Sequence, residues 1–404
     1  MSNIMFMNVA MHGHVNPTLP VVAELVRRGH SIGYWTAPEF TDTIRATGAR
    51  VHLYPRGDPL VAKHPTPLGM LQSLAEAAQR NVPVVLGDIG RTPPDLIVHG
   101  AACPWGLIAA RSLKVPAAAT FTTFGFSTAT PSPTAPRAIW REIGAHPRSA
   151  ARYFAARWSL DRRYDTRGLP RVDLANVAES LNLVFTSKEF QPHAEHFDQT
   201  YRFVGASIGA RPVDPTFPFD RLRAPVLLAS FGTVFETAPE LLRAIAEGLA
   251  PLGGSVVLAT GRTDSRAIGA LPVNVIARRF VPQPDVLARA SAFVTHGGMN
   301  SVNEALHAGV PVLVIPQGAD QPEVARRVVD VGAGLSIDPR KATSAAVQEQ
   351  AARLLAEPSF RAATADLQQA QLDAGGHIRA ADELEAYAER GHFREDGAHT
   401  WRQP

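Results

Sequence analysis

Two short stretches carry the residue types that could do chemistry. The first is "MHGHVNPTLP", Met11 to Pro20, which places His12 and His14 in a Gly- and Pro-containing turn directly after the apolar run "NIMFMNVA". A neutral imidazole with an ordinary pKa near ~6.5 can take a proton from a hydroxyl, a contribution of typically ~10²- to 10⁴-fold to a rate. The plainer reading is a histidine that caps a helix or packs in a turn. Position shifts the balance toward the base. The apolar run reads as a buried parallel strand, and "HVNPTLPVVAELVRRGH" as the helix after it, with Asn16 expected as N-cap, Pro17 in the first turn and Gly29 at the stop. That places His14 at the carboxyl end of the first strand, where open α/β sheets form their ligand crevice. His12 is expected to be strand-end structure and is the alternative base.

The second stretch is "THGGMNSVNEALHAGVP", Thr295 to Pro311. A strand ends at His296, two glycines allow close backbone approach, a helix begins near Asn300, and Gly309 closes it before the next strand. A helix N-terminus preceded by Gly-Gly and flanked by His, Asn and Ser offers donors to an anion, so a phosphate site is physically natural. "SVNE" also matches a capping box, in which Ser301 and Glu304 satisfy the helix end themselves. If Asn300 is the cap instead, Ser301 is left for a phosphate oxygen and Glu304 for the diol of a ribose.

Other chemistries lack their signatures. There is no Walker "GxxxxGK[ST]" and no G-x-G-x-x-G after the first strand, which argues against an NTPase or an ordinary dinucleotide dehydrogenase. Metal-type His spacing is not apparent, so no metal is expected. Cys103 is the single cysteine, which precludes an intrachain disulfide and a cysteine metal cluster.

These residues need a scaffold, and the chain supplies one. Short apolar runs alternate with helical patterns, the mark of parallel strands joined by crossover helices. Candidate strands are "NIMFMNVA", "SIGYWTA", "RVHLYP", "DLIVHG", "PAAATF", "LNLVFTS" and "RFVGA", then "PVLLASFG", "SVVLATG", "VNVIA", "SAFVTHGG" and "VPVLVIP", with a helix over Pro239 to Leu249. Between them "GASIGARPVDPTFPFDRLRAP" has neither period and reads as a linker. The expected division is a first α/β domain over 1–210, a linker over 211–224, a second α/β domain over 225–375, and a helix with a polar, fraying tail over 376–404. From Thr122 to Arg167 the alternation breaks into a Pro-rich segment and an aromatic, Arg-rich one, which favours an apolar small-molecule site over an ordinary loop.

With 404 residues, 45% apolar and 19% charged, the composition is that of a folded protein of about two domains. A net charge of +3, evenly spread, implies no nucleic-acid partner. No apolar run approaches the ~20 residues of a membrane helix, and the N-terminus lacks a signal pattern, so a cytoplasmic protein with no membrane association is expected. Lysine occurs only at Lys63, Lys114, Lys188 and Lys341 among 40 basic residues, which with the Ala and Pro content suggests a G+C-rich bacterium such as an actinomycete.

"GHVNPTLPVVAELVRRGH" and "RFVPQPDVLARASAFVTHGGMNSVNEALHAGVPVLVIPQGADQPEVARRV" together resemble the nucleotide-sugar glycosyltransferases of family 1, most closely the bacterial macrolide group. The resemblance extends over nearly the whole chain. It implies a GT-B fold: two Rossmann-like, doubly wound parallel-sheet domains facing across a cleft, acceptor on the first and sugar nucleotide on the second. It further implies that Phe280 stacks on the nucleobase, with Val281 and Gln283 beside base and ribose, and that Glu304 holds the ribose hydroxyls. His296, Gly298, Asn300 and Ser301, with Thr233 of "SFGT", would hold the diphosphate, and Asp320 and Gln321 of "GADQ" the sugar hydroxyls. Phe121, Phe124, Phe126 and Trp140 are the expected acceptor contacts.

The activity so implied is inverting transfer of a hexose, glucose from UDP-glucose with a dTDP-sugar as the alternative donor, onto a hydroxyl of a macrolide or polyphenol. His14 is the general base, and no cofactor or metal is needed. Such a protein would serve antibiotic biosynthesis or resistance, as a monomer or homodimer. The chain departs from the family at one place: the strand "PDLIVHG" ends in Gly100, where the family has an aspartate that orients the histidine. Another group must hold His14, or the acceptor must be acidic, or activity is low. The competing class is a non-catalytic GT-B auxiliary that binds a sugar nucleotide or activates a partner glycosyltransferase. Retention of His14, Glu304, Asp320 and Gln321 together weighs against it. A sugar-nucleotide epimerase or hydrolase would lack the apolar acceptor segment.

Overall fold

The structure, a computed structural model, describes residues 1–55, 66–126, 136–209, 214–232 and 237–392. It divides into two compact units: 1–185 with 193–209 and 375–404, and 186–192 with 210–374.

The first unit is built on seven parallel strands, β1 (Asn3–Met7), β2 (Ser31–Thr36), β3 (Arg50–Leu53), β4 (Leu96–Gly100), β5 (Ala117–Phe121), β6 (Asn182–Val184) and β7 (Tyr201–Phe203), in the order 3-2-1-4-5-6-7. Helices α1 (His12–Val15), α2 (Thr18–Arg27), α3 (Thr41–Arg45), α4 (Pro67–Ile89), α5 (Pro104–Leu113), α6 (Pro136–Ala145) and α7 (Pro147–Arg163) lie along the chain between them. β1 explains why the strands read as unbroken apolar runs. Its Ile4 and Phe6 join Val21, Val22 and Leu25 of α2, while Met5 and Met7 join residues of α4 and α5 on the other face. A parallel sheet covered on both faces has no side left for polar residues.

The second unit repeats the plan with β8 (Val226–Ser230), β9 (Ser255–Ala259), β10 (Val275–Arg278), β11 (Ala290–Thr295), β12 (Val312–Val314) and β13 (Gly334–Ser336), ordered 10-9-8-11-12-13. Counted within the unit, that is again 3-2-1-4-5-6, the Rossmann order, whose switch point lies between the first and fourth strands. Its helices are α8 (Pro239–Leu249), α9 (Ser265–Ile268), α10 (Gln283–Leu287), α11 (Met299–His307), α12 (Gln321–Asp330), α13 (Ser344–Ala356) and α14 (Pro358–Asp373). β13 has no counterpart among the predicted strands.

The last helix, α15 (Gly376–His392), belongs to the first unit. Its Ala380, Ala381, Leu384 and Ala388 enter the α2 core. Arg28 bonds to Asp382 at 2.7 Å and Glu385 at 2.8 Å, and the His30 ring meets Glu385 at 2.9 Å. Residues 393–404, predicted to fray, lie outside the described residues. Among the described residues no helix is long and apolar enough to cross a membrane.

Candidate functional site

In the first unit the chain leaves β1 at Met7 and runs through residues 8–11 into the single helical turn α1 (His12–Val15), so His14 sits in a short helix and not in an open turn. Asn16 ends that helix with αR geometry, and α2 begins behind Pro17 with no side-chain cap, so the expected Asn16 cap is not formed. Gly29 does stand just past the end of α2, with φ +91°, as expected for a helix stop. A buried hydrogen-bond chain fixes the turn. The Thr18 hydroxyl donates to the Val15 carbonyl at 2.8 Å and meets the Tyr34 hydroxyl at 2.8 Å, while Asn8 Nδ2 donates to the His14 carbonyl at 3.1 Å and to Tyr34 Oη at 3.4 Å.

The His14 ring is half-buried, and its Nδ1 faces the Thr122 hydroxyl at 3.2 Å. Desolvation lowers its pKa to about 4, so the ring is neutral at physiological pH. His12 is exposed, with its ring edge-on to Phe40 at 4.9 Å, a surface packing role.

In the second unit β11 ends at Thr295 and the chain passes through His296, Gly297 and Gly298 into α11. The N-cap is Gly298, with no side-chain cap, so the helix starts earlier than Asn300, and neither Asn300 nor Ser301 caps it. The capping box does not form either. Glu304, buried on α11, accepts from Gln283 Nε2 of α10 at 2.7 Å, and the same amide reaches Ser301 Oγ at 3.4 Å. Gly297 has φ +86°, and a Cβ there would stand 2.6 Å from Val314, so both its conformation and its surroundings demand glycine. A Cβ on Gly298 would lie 2.5 Å from Nε2 of His296. The uncapped helix end, with its positive dipole, therefore has the His296 imidazole packed against glycine backbone.

Burial lowers the His296 pKa to about 4, against a weaker opposite effect of a hydrogen bond with the Ser230 main chain. Its Nδ1 meets Thr295 Oγ1 at 3.3 Å. Phe280 is 59% exposed, flanked by the Arg279 guanidinium 5.4 Å from its ring centre, and Val281 is half-buried beside it. At the start of α12, Gln321 Oε1 accepts from the Gln317 and Gly318 main chain at 2.6 and 3.1 Å, so what that side chain can offer a ligand is its NH₂ group. Burial raises the pKa of Asp320. Ala319 before it holds a left-handed φ of +55°, a strained turn at the start of α12.

The geometry meets its relatives in three independent comparisons. Residues 243–385 match the family described as erythromycin biosynthesis protein CIII-like, C-terminal domain. The chain is 30% identical to the NDP-glycosyltransferase YjiC of Bacillus subtilis (strain 168), covering 96% of this chain and 98% of that protein. It is 31% identical to the oleandomycin glycosyltransferase of Streptomyces antibioticus, over 98% and 93% of the two chains. The chain belongs to glycosyltransferase family 1, in the bacterial macrolide group. Among solved structures the calicheamicin glycosyltransferase CalG4 superposes with a TM-score of 0.79 at 32% identity, over 96% of this chain and 99% of its own, and the glycosyltransferase of kitacinnamycin with 0.83 at 27%. The fold is GT-B.

The remaining predicted residues of this glycosyltransferase fall into three groups. Phe121 and Phe124 are buried: Phe121 ends β5 and packs with Ala101, Ala119 and Val184, its ring 5.8 Å from Tyr201. Phe126 is half-buried, and Trp140 on α6 is 69% exposed. Thr233 lies outside the described residues.

Four features escaped the sequence. Thr122 meets His14 across 108 positions, and Asn8 holds the α1 turn. Asn303, on the buried side of α11, accepts from Thr186 at 2.8 Å and Gln371 at 2.9 Å. His193, Glu195 and His196 also bring ligand atoms within 4.8 Å of one another on the surface before β7, a metal-type grouping that the local spacing "HAEH" could have signalled.

Proposed function

We propose that the first unit holds the acceptor and the second the sugar nucleotide, and that the enzyme transfers a hexose, glucose from UDP-glucose, to a hydroxyl of a hydrophobic macrolide or polyphenol. The observation that carries this reading is the uncapped N-terminus of α11 beside His296, at the start of the same helix that carries the buried carboxylate of Glu304: an anion cradle and a diol acceptor on one element, as a nucleoside diphosphate requires. A dTDP-sugar is the second donor class. The oleandomycin and calicheamicin enzymes among its relatives favour a hydrophobic acceptor.

His14 accepts the acceptor's hydroxyl proton. The freed electron pair makes the new bond at the anomeric carbon on the face opposite the diphosphate, the glycosidic bond to the diphosphate breaks, and configuration inverts. The leaving diphosphate is stabilised by the first-turn N–H groups of α11, Asn300, Ser301 and the His296 N–H, the preorganised electrostatic part of catalysis. That cradle does the work often given to a divalent ion, so no metal is required.

Phe280 stacks on the base next to Val281, Gln283 turns from Glu304 toward base and ribose, Glu304 takes the ribose hydroxyls, and Asp320 and Gln321 take those of the sugar. Phe126 and Trp140 contact the acceptor, with Phe121 and Phe124 supporting them from the core.

The test is incubation with UDP-glucose or dTDP-glucose and a panel of macrolides and phenolics, with and without EDTA, following nucleotide release, product mass and anomeric configuration. A β-glycoside from an α-donor, unaffected by EDTA, is expected. Retained configuration would overturn inversion, and absence of product with every donor would favour the auxiliary reading.

A further inference from the structure

The histidine at the end of β1 has a partner of an unexpected kind. Gly100, at the end of β4, offers no side chain, and the space beside it is taken: a Cβ on Gly100 would collide with Oδ1 of Asn8. Asn8 is buried, and its Oδ1 has no hydrogen-bond partner among the described residues, while its Nδ2 is committed to the His14 carbonyl and Tyr34. The glycine is therefore a fitted position that makes room for the side chain holding the α1 backbone. The imidazole itself is met from β5, one strand further on, by Thr122, the residue directly after Phe121 and itself buried.

The geometry points to Thr122 as the positioning residue of His14: its hydroxyl oxygen accepts the Nδ1 proton and leaves Nε2 as the nitrogen that receives the acceptor's proton. This rests on the assignment of His14 as base. A hydroxyl is suited to both states of the ring, because it both accepts and donates and turns about its own bond. In the neutral ring, Nδ1–H donates to Thr122 and Nε2 carries the lone pair. Once Nε2 has taken the proton, Nδ1–H still donates to the same oxygen. Among the described residues nothing else engages the His14 ring by a hydrogen bond.

A neutral partner differs from a carboxylate in one respect. It fixes orientation and tautomer without a charge to stabilise the imidazolium, so the base remains weak and the contribution of the partner modest. A neutral hydrogen bond is worth about 1 kcal/mol, or roughly fivefold in rate, and mispairing of the tautomer adds to that.

The experiment compares wild type, Thr122→Val, Thr122→Ser and His14→Ala, using the donor and acceptor pair of highest turnover in the panel above. Thr122→Val is nearly isosteric, so it should fold. Its kcat should fall about 10- to 50-fold with donor KM unchanged, while Thr122→Ser stays within about threefold of wild type. A readout independent of turnover is the ¹⁵N–¹H correlation spectrum of the histidine rings, with His14 assigned by its loss in His14→Ala. Wild type and Thr122→Ser should show a ring protonated on Nδ1, and Thr122→Val a shift toward Nε2 protonation. If His14→Ala is inactive but Thr122→Val keeps wild-type kcat and tautomer, Thr122 is overturned and the base stands. If His14→Ala keeps full kcat, the base assignment falls and the positioning role with it.

Discussion

The two units share a strand order over six strands and place a histidine and a glycine at its switch point in mirrored ways. In the first, the histidine follows the first strand and a glycine, Gly100, ends the fourth. In the second, the histidine follows the fourth strand and a glycine, Gly232, follows the first. Each glycine clears space for its neighbour: Gly100 for the side chain of Asn8, and Gly232 for His296, whose Cε1 would stand 2.9 Å from an added Cβ. What differs is the company. His14 is approached by a side-chain hydroxyl and sits on a backbone pinned by Asn8, Thr18 and Tyr34, an arrangement that fixes one ring nitrogen and leaves the other. His296 is packed against glycine at an uncapped helix end, an arrangement suited to the proposed diphosphate site. Sheet topology decides where chemistry can happen, and the side chains at two strand ends decide which chemistry it is.

Removing each histidine breaks the comparison most severely. His14→Ala should lower kcat by about 10²- to 10⁴-fold with donor affinity intact if, as proposed, the lost group acts on the acceptor's proton. His296→Ala should cost roughly 10²-fold and weaken binding of the nucleoside diphosphate as well, which titration calorimetry with UDP and dTDP would separate. Equal effects on diphosphate binding from both variants would erase the division of labour.

Glu304→Ala comes next. It removes the partner of Gln283 and the proposed ribose acceptor, and should raise donor KM roughly 30-fold with a smaller change in kcat. A kcat effect without a KM effect would remove Glu304 from the donor half.

Acid separates the histidines from ordinary ones. Both have pKa values lowered from about 6.5 to about 4 by burial. With a base of pKa about 4, kcat/KM should change less than about twofold between pH 7 and 5, where a base at ~6.5 would lose roughly 30-fold. Stability moves in the same window. The unfolded chain binds protons on these groups below about 6.5 and the folded chain only below about 4, so their stabilising effect is full above 6.5 and lost as pH falls to 4. The melting temperature should therefore drop by several degrees over that span, and less so in a variant with His14 replaced by glutamine.

The fold was readable because its strands are buried on both faces, leaving continuous apolar runs between helical periods, and α8 was expected over the residues it occupies. β13 escaped because it is three residues at a sheet edge, Gly334 to Ser336, with no apolar run to announce it. The caps were misread for a different reason. Asn16, Asn300 and Ser301 are good capping types, yet a cap is decided by backbone angles, and Pro17 and Gly298 hold those places. Phe121 and Phe124 were picked by residue type, and type does not say how deeply a side chain is buried. Thr122 was unreadable in principle: its contact with His14 depends on β5 lying two strands from β1, which no local pattern encodes. Gly100 was noticed as a missing carboxylate, and only the packing shows what the missing side chain makes room for.

The smallest expected effect tests the least constrained donor contact. Phe280 stands largely exposed with a guanidinium at its ring, so its burial adds little to the fold, and its proposed value lies in stacking on a base. Phe280→Leu should leave thermal stability unchanged and raise donor KM about threefold to tenfold, the loss of about 1 kcal/mol of aromatic contact. Phe280→Trp, with a larger face, should lower it by up to about threefold. A melting temperature that falls with Phe280→Leu while donor KM holds would return this ring to the fold. In the proposed site the base would then be held by Gln283 and Val281.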